Sequence, residues 1–189
     1  MPRIADKELE ARIVNAARKL WKVRGARSLT LRSVAVEAGT TTTTVYKRFR
    51  NKEALLLALA ANVQAKLTAR ATSAASIEEC YRRFLAFAER HPHEYHLLWG
   101  PAWSELLGPG RPRPIKDWLL EKFAERFGGK PKDYVLNYYA LFLMVHGSAN
   151  LLIVTREQKM KTEIIDSCLA ICDAMVGNIE VLKRRRQEN

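Results

Sequence analysis

The sequence predicts an all-α protein of about nine helices, in which three short helices come before a longer helical bundle. Two observations lead to this fold class. Apolar residues recur at helical spacing along almost the whole chain, whereas no stretch of useful length shows the alternation of a strand. Glycine and proline account for only 9 and 7 of the 189 residues, which argues against a disordered or loop-rich chain.

Capping residues delimit the first three helices. One face of the first helix is apolar and consists of Leu9, Ile13, Ala16, Ala17, Leu20 and Trp21. Gly25 can end this helix in the left-handed conformation, and Thr30 is a good N-cap for a second helix that closes at Gly39. Thr41 can cap a third helix that reaches Arg48. Three short helices with a glycine turn between the last two indicate a helix-turn-helix.

The remaining helices are longer and are separated by turn residues. We predict a connecting helix from Asn51 and further helices over 77–90, from His93, over 115–127, over 134–154 and over 162–185. Pro92 forces the residue before it out of helical geometry, and Gly128 can stop the helix that precedes it. The last two helices are apolar on broad faces, beyond what a small core needs, which predicts a subunit interface.

Positive charge is concentrated at the N-terminal end. The formal net charge is +12, and residues 1–70 contain 15 Lys and Arg against 5 Asp and Glu. Residues 71–182 contain 13 against 14, and four more cations stand at 183–186. A basic head on a near-neutral body predicts contact with a polyanion such as nucleic acid. A merely solvated charged face would give the same count, so charge alone leaves both interpretations open.

The termini and the cysteines bear on the cellular compartment. The N-terminal stretch lacks the apolar segment of a signal peptide, and we find no run of about 20 apolar residues that would span a membrane, so a cytoplasmic protein is expected. Three cysteines without a CxxC pair predict reduced thiols. Cys168 and Cys172 lie four apart, and they are either a metal or redox pair or small buried apolar residues.

One stretch of the head contains a long, specific motif. From Thr30 to Leu55 it reads T-L-R-S-V-A-V-E-A-G-T-T-T-T-T-V-Y-K-R-F-R-N-K-E-A-L. Small residues at 35, 38 and 39 let two helices cross closely, and Val45 and Phe49 can anchor the third helix to the first. Over residues 9–60 the sequence resembles the TetR (tetracycline-repressor) family. The resemblance implies a DNA-binding domain over 1–50 and a ligand-binding and dimerisation domain over 51–189.

The predicted DNA contacts lie on and around the third helix. Its outer face, with Thr42, Thr43 and Lys47, would read base edges in the major groove. Arg32 could pair with a guanine or hold a phosphate, and the residues leave this open. Three positions match those that contact backbone phosphates in the family, namely Thr30, Tyr46 and Lys52. The complete predicted set is Thr30, Arg32, Thr41, Thr42, Thr43, Thr44, Tyr46, Lys47 and Lys52.

The threonine run departs from the family pattern. Thr40 stands where the family usually has an apolar residue after the turn glycine, and its hydroxyl needs a hydrogen-bond partner. Five consecutive threonines also have low helix propensity, because each loses side-chain freedom in a helix. We therefore expect a recognition helix that is loose until DNA binds. The alternative is that residues 40–44 form a polar loop.

A ligand pocket in the body is implied by the resemblance, since regulators of this family switch when a small molecule binds the C-terminal domain. Parts of the body, including H-E-Y-H-L-L-W-G and M-V-H-G, are similar to a WHG-type C-terminal domain, although the usual tryptophan before the His-Gly pair is missing. The alternative is ordinary aromatic core, and His146 could equally be a core residue or part of a dimer interface. The predicted pocket residues are Phe87, Tyr95, Trp99, Trp103, Phe142 and His146.

Catalytic and metal sites are not predicted. His91, His93 and His96 with Glu94 form a cluster, but only one pair has the spacing of ligands on one helix and Pro92 interrupts the frame. The sequence contains no paired carboxylates, nucleophile elbow or phosphate loop, so we expect neither an enzyme nor a cofactor.

These observations favour a homodimeric regulator of bacterial transcription in the cytoplasm. The most specific hypothesis is a repressor of a palindromic operator in duplex DNA, which a small, largely apolar effector releases. An architectural DNA-binding protein without a ligand switch is the alternative. A third hypothesis is an enzyme or carrier whose basic head is incidental.

Overall fold

A computed structural model of the chain describes residues 4–100 and 110–179. Over these residues the protein is all-α, as predicted, and contains nine α-helices and no strand. The helices are α1 (Ile4–Arg24), α2 (Leu31–Glu37), α3 (Thr42–Arg48), α4 (Lys52–Thr72), α5 (Ile77–Arg90), α6 (Pro92–Trp99), α7 (Pro114–Phe127), α8 (Val135–Val154) and α9 (Gln158–Gly177). Short 3₁₀ turns follow α1 and precede α8.

The predicted caps of the short helices are present. The Thr30 hydroxyl accepts a hydrogen bond from the backbone N–H of Ser33, and the Thr30 N–H donates to the Ser33 hydroxyl, both at 3.0 Å. This reciprocal pair satisfies two donors at the start of α2. Gly25 and Gly39 have φ values of +56° and +60°, a conformation that L side chains rarely adopt. Both glycines are therefore required by the backbone where the sequence predicted turns.

The last described helix starts earlier than the sequence predicted. We expected a start at Thr162, whereas α9 begins at Gln158 with Glu157 as its N-cap residue. The apolar periodicity begins late because Gln158, Lys159 and Lys161 are polar, yet these residues are good helix formers and extend the helix at its exposed end. The predicted end near residue 185 lies outside the described residues.

The chain forms two compact units. The first comprises Met1–Lys66 and His91–Arg111, and the second comprises Leu67–Arg90 and Pro112–Asn189. The sequence predicted a boundary after residue 50, between a DNA-binding domain and a ligand-binding and dimerisation domain. The compact units follow a different division of the chain. The segment from His91 belongs to the first unit because α6 packs against α1.

The first unit has an apolar core beneath its short helices. The fully buried side chains of this core include Ile13, Ala17, Leu29, Val34, Val45, Leu55 and Leu59. They come from α1, α2, α3, the first turns of α4 and, in the case of Leu29, the turn before α2, so each short helix is attached through at least one buried residue. Burial of a Val or Leu side chain contributes about 1.5–3 kcal/mol, which a helix of seven residues needs because it is marginal alone.

The second unit is built around α8. This helix contacts α5, α7 and α9. Phe123 and Tyr134 stack at 5.6 Å between ring centroids, and both are fully buried. All three cysteines are buried and unbridged, and Cys168 and Cys172 lie 4.0 Å apart between sulfur atoms.

One long apolar segment of the described residues ends with α8. Pro131–Val154 is long and apolar enough to cross a membrane by length and composition alone, with a mean hydropathy of 1.2 over its best window. Polar residues such as Asn137 and His146 interrupt it, so it is not the continuous run of about 20 apolar residues that defines a membrane span. Part of the segment is apolar because α8 packs against α5, α7 and α9 in the core of the second unit. Of its most apolar stretch, 39% is buried within the protein.

Candidate nucleic-acid interface

The turn between α2 and α3 is closed by backbone hydrogen bonds. The N–H groups of Ala38, Gly39 and Thr40 donate to carbonyl groups of α2, and the bond from Thr40 to Ala35 measures 2.9 Å. The left-handed Gly39 redirects the chain immediately after α2. This turn fixes α3 relative to α2.

The recognition helix rests on buried anchors. Val34 and Val45 are fully buried, and Ala35 and Phe49 are nearly so. Since Val45 and Phe49 are four residues apart, they hold one side of α3 against the core and leave the opposite side outward. Both residues are buried, as an anchoring role requires, and their predicted packing against α1 stays a prediction.

The outward side of α3 carries polar side chains that can reach DNA. Thr43 and Lys47 are exposed and lie four residues apart, so they share a face of the helix, while Thr42 is half-buried beside them. Tyr46 is 55% exposed, which is unusual for a large aromatic residue in a core-building helix. The surface therefore presents hydroxyl, methyl, ammonium and phenol groups together.

The threonine run forms a helix rather than a polar loop. Thr41 provides the N-cap, because its hydroxyl accepts a hydrogen bond from the backbone N–H of Thr44 at 3.1 Å. The hydroxyl groups of Thr41 and Thr44 lie 2.9 Å apart. A cap of this kind contributes about 1 kcal/mol, which offsets part of the low helix propensity of threonine. Both hydroxyl groups thus have structural partners, and their predicted DNA contacts remain predictions.

The predicted phosphate contacts surround α3. Thr30 and Arg32 are exposed at the start of α2, and the Thr30 hydroxyl also caps that helix. Lys52 is half-buried at the first residue of α4, and its ammonium group is 3.4 Å from the carbonyl oxygen of Ala26. Asn51 caps α4 by accepting from the N–H of Ala54 at 2.9 Å. The phosphate contacts of Thr30 and Lys52 stay predictions.

Three exposed arginines were missed by the sequence reasoning. Arg27, Arg48 and Arg50 stand on the same turns and helices as the predicted contacts. Glu37 is the only acidic residue from 27 to 52, and its carboxylate is 3.3 Å from the Lys19 ammonium. The local excess of cations favours a phosphate backbone as the partner. The charge count of the head includes these three arginines, but a count does not tell which of the arginine side chains are exposed.

A buried ion pair joins α1 to α6 within the first unit. The Arg18 Nε donates to Glu94 Oε1 at 2.5 Å, and the Glu94 side chain is completely buried. Trp21 adds a hydrogen bond from its indole N–H to the His93 carbonyl at 2.7 Å. These two hydrogen bonds attach α6 to α1, the first helix of the head.

The same region also affects Lys66. Burial is the main cause that lowers the pKa of Lys66, and the nearby Arg18 guanidinium lowers it further.

The histidine cluster of the sequence takes part in this attachment. Glu94 pairs with Arg18, and its other oxygen is 3.6 Å from the Nδ1 of His91. The ring of His93 lies against Gly25, where an added Cβ would be 3.0 Å from its Nδ1. Over the part of the chain that the structure describes, no group of three His, Cys, Asp or Glu residues could hold a metal ion.

The predicted pocket residues are distributed over both units. In the first unit, the fully buried Tyr95 stacks on Trp99 with ring centroids 4.6 Å apart. In the second unit, Phe142 stacks on His146 at 5.3 Å, and burial lowers the pKa of His146. Phe87 is buried in the second unit as well. Trp103 lies outside the described residues, and the pocket lining remains a prediction.

Comparisons with known proteins agree with this geometry. Residues 13–59 match the tetR family of bacterial regulatory proteins. No curated protein matches the chain. Among solved structures, the chain is similar to TetR from Acinetobacter baumannii AYE, with a TM-score of 0.66 and 20% identity over 90% of this chain and 96% of that chain.

Two further structures share the fold. A putative TetR-family transcriptional regulator from Mesorhizobium loti MAFF303099 gives a TM-score of 0.63 and 21% identity, over 90% of this chain and 96% of the other. The multidrug binding protein EbrR, complexed with malachite green, gives a TM-score of 0.52 and 19% identity, over 88% of this chain and 96% of that chain. Residues 13–59 therefore carry the N-terminal region of the tetR family of bacterial regulatory proteins, and the chain as a whole shares the fold of TetR-family structures.

Proposed function

We propose that the protein is a homodimeric repressor that binds a palindromic operator and is released by a small, largely apolar ligand. The observation that carries the DNA-binding part is α3, a capped helix held by buried Val45 and Phe49 with Thr43 and Lys47 directed outward. A helix exposed in this way fits the major groove, which displays a distinct donor and acceptor pattern for each base pair.

The proposed contacts divide into two classes. Thr42, Thr43 and Lys47 would contact base edges and determine sequence preference. Tyr46 and Lys52, together with the exposed arginines beside them, would contact phosphates and determine salt dependence. This division predicts different consequences for substitutions in the two classes, and Arg32 can belong to either.

An exposed apolar stripe on α8 supports the homodimer. Leu136, Tyr139, Leu143 and Val154 lie along one side of the helix, and Leu143 is 67% exposed. Gly147 stands within the stripe, where an added Cβ would meet nothing within 4 Å, so a second helix could approach closely. A second copy is the simplest cover for this stripe, because a two-fold interface pairs the same surface of both subunits.

A dimer of this kind would present two recognition helices related by two-fold symmetry. Such a pair binds two half-sites about 34–36 Å apart, one turn of the DNA helix, which is why the operator would be palindromic. A ligand that binds the DNA-free form more tightly lowers the affinity of the protein for DNA. By linkage, bound DNA lowers the affinity of the protein for the ligand by the same factor. Malachite green bound to EbrR supports the proposal of a small-molecule effector by analogy of fold.

Selection from a pool of randomised duplexes tests the proposal. The full chain is incubated with the pool at about 150 mM salt, and bound duplexes are amplified and sequenced over several rounds. A repressor of this kind enriches one sequence with two-fold symmetry. An architectural DNA-binding protein would retain duplexes without an enriched sequence, and an enzyme or carrier with an incidental head would retain almost none.

A further inference from the structure

Two of the three buried cysteines form a pair on the inward side of α9. Cys168 and Cys172 are four residues apart, about one helical turn, and their sulfur atoms are separated by 4.0 Å. Both residues are at most 2% exposed, whereas the neighbouring Ile171 is 43% exposed on the outward side. The two thiols therefore share one face of the helix and lie within the second unit.

Hydrogen bonds converge on Cys168. The Cys172 thiol donates to its sulfur, and the Ser148 hydroxyl of α8 adds a second hydrogen bond. Both bonds lower the pKa of Cys168, the one from Cys172 more strongly, and burial opposes them. In contrast, burial raises the pKa of Cys80 to about 12, as expected of a cysteine that serves as a small apolar residue. The pair therefore differs from an ordinary buried thiol.

The helix does not hold the two residues at the spacing of a disulfide. Side chains four apart on a helix have Cβ atoms about 5–6 Å apart, and a disulfide needs about 3.5–4.5 Å. Oxidation of the pair to a disulfide would therefore require distortion of α9 around Cys168 and Cys172. An atom that bridges the two sulfur atoms has no such requirement, because it lengthens the connection.

A two-coordinate cation fits between the sulfur atoms. Metal–thiolate bonds are about 2.3 Å long, as in zinc sites, so a linear S–metal–S unit spans about 4.6 Å. Small rotations of both side chains within their rotamer wells extend the separation of 4.0 Å to this value. Zn²⁺ requires four ligands, and over the described residues no third His, Cys, Asp or Glu residue is placed to join the pair.

Charge and softness restrict the identity of the ion. Two thiolates around a divalent cation make a neutral unit, which can be buried at low cost. Around a monovalent cation they would leave a negative charge, which the nearby Asp173 carboxylate would repel. Thiolates also favour soft metal ions. The divalent ion that combines softness with linear two-coordinate geometry is Hg²⁺.

We propose that Cys168 and Cys172 bind Hg²⁺ as a two-coordinate dithiolate beside Ser148. Each sulfur forms one bond to the metal while its thiol proton leaves to solvent, so no atom changes its oxidation state. Since both thiols are buried, the ion enters through local opening of α9, and association is slow. The site does not depend on the repressor function proposed above, and its test uses no DNA.

Titration of the full chain with mercuric chloride in excess β-mercaptoethanol tests the site. Native mass spectrometry counts the bound ions, and the near-ultraviolet absorption of the mercury–thiolate bonds reports the binding. We expect one Hg²⁺ per chain, because the second thiolate acts at an effective concentration that a free monothiol does not match. Zinc chloride under the same conditions should not bind, since the pair supplies too few ligands.

Three alanine variants make the test specific. Cys168→Ala and Cys172→Ala each remove one ligand, so we expect the affinity for Hg²⁺ to fall at least about 100-fold. Cys80→Ala is the matched control, because it removes a buried thiol from outside the pair, and it should keep the wild-type affinity. Melting temperatures without metal establish that each variant is folded.

Three results would overturn the proposal. The first is loss of Hg²⁺ from the wild-type chain to the monothiol. The second is equal affinity in the wild-type chain and all three variants, since the cysteines would then act independently. The third is tight binding of Zn²⁺ through Cys168 and Cys172, which would contradict the two-coordinate geometry.

Discussion

Helix α3 and the apolar helix α8 show opposite relations between side-chain exposure and polarity. On α3, buried residues are apolar and exposed residues are polar, so Val45 and Lys47 have environments that their side chains predict. On α8, Leu143 is largely exposed and Asn137 is buried. The proposed DNA-binding surface keeps the usual polarity pattern, whereas the proposed subunit interface exposes apolar residues.

The comparison of α3 with α8 shows which residues can be recognised from their polarity and exposure. Polar residues of a DNA-binding face are ordinary surface residues, and only a specific motif or a charge count marks them. Residues that violate the polarity pattern stand out by themselves, as the exposed Leu143 and the buried Asn137 do. The substitutions below test this contrast, in order of decreasing expected effect on free energy.

Removing the buried ion pair tests the support of the first unit. Arg18→Ala leaves the Glu94 carboxylate buried beside only His91, so we expect a loss of about 3–5 kcal/mol in the free energy of unfolding by urea. Lys19→Ala is the matched control, because the neighbouring Lys19 pairs with Glu37 in solvent, and it should cost at most about 1 kcal/mol. Equal losses of unfolding free energy in the two variants would show that the buried ion pair stabilises the protein no more than the exposed one.

A charge within the apolar stripe tests the proposed interface. Leu143→Glu should convert the dimer to a monomer in sedimentation velocity experiments, because two carboxylates would face each other across a two-fold axis. Operator affinity should then fall on the order of 100-fold, since each half-site binds alone. Val23→Glu alters an equally exposed apolar residue of the first unit and should leave a dimer. A dimeric Leu143→Glu protein would place the interface elsewhere.

The hydrogen bond from Tyr81 to Asp173 tests the packing of α5 on α9. It is the main cause that lowers the pKa of Asp173, so it stabilises the fold above the ordinary Asp pKa and is lost as the pH falls through the lowered value. Tyr81→Phe should therefore cost about 1 kcal/mol at pH 7 and less at pH 3. Urea unfolding at both pH values measures this. Tyr46→Phe should change neither, and a Tyr81→Phe loss that is constant with pH would contradict the assignment.

A single phosphate contact should have the smallest effect. Lys52→Ala should weaken binding to all duplexes by about the same factor and reduce the slope of log K against log salt by about one unit. Fluorescence anisotropy with a selected and a random duplex at several salt concentrations measures both quantities. A loss confined to the selected duplex would instead make Lys52 a base contact.

The head was predictable because its structure follows from local signals. Thr30, Gly25 and Gly39 act through the backbone of their own turns, so residue type and spacing determine the outcome. Long-range pairs were not predictable in this way. Glu94 looked like a member of a histidine cluster, and its partner Arg18 is 76 residues away.

The body was predictable in fold but not in site. Helical periodicity predicts α7, α8 and α9, yet it does not tell which apolar side chains meet and which leave a gap. Tyr95 and Phe142 share the same aromatic character but belong to different compact units. Asn137 is an amide in an apolar helix, and the burial of its Nδ2 group without a partner emerges only from the packing.

The central claim is that α3 reads DNA sequence through its outward side chains. Its most direct test is the ratio of affinities for a selected duplex and a random duplex, measured at one salt concentration for the wild-type chain and for Thr42→Ala/Lys47→Ala. We predict a wild-type ratio of about 1,000 or more and a ratio lowered at least about tenfold in the variant, with little change for the random duplex. An unchanged ratio in the variant would contradict the claim.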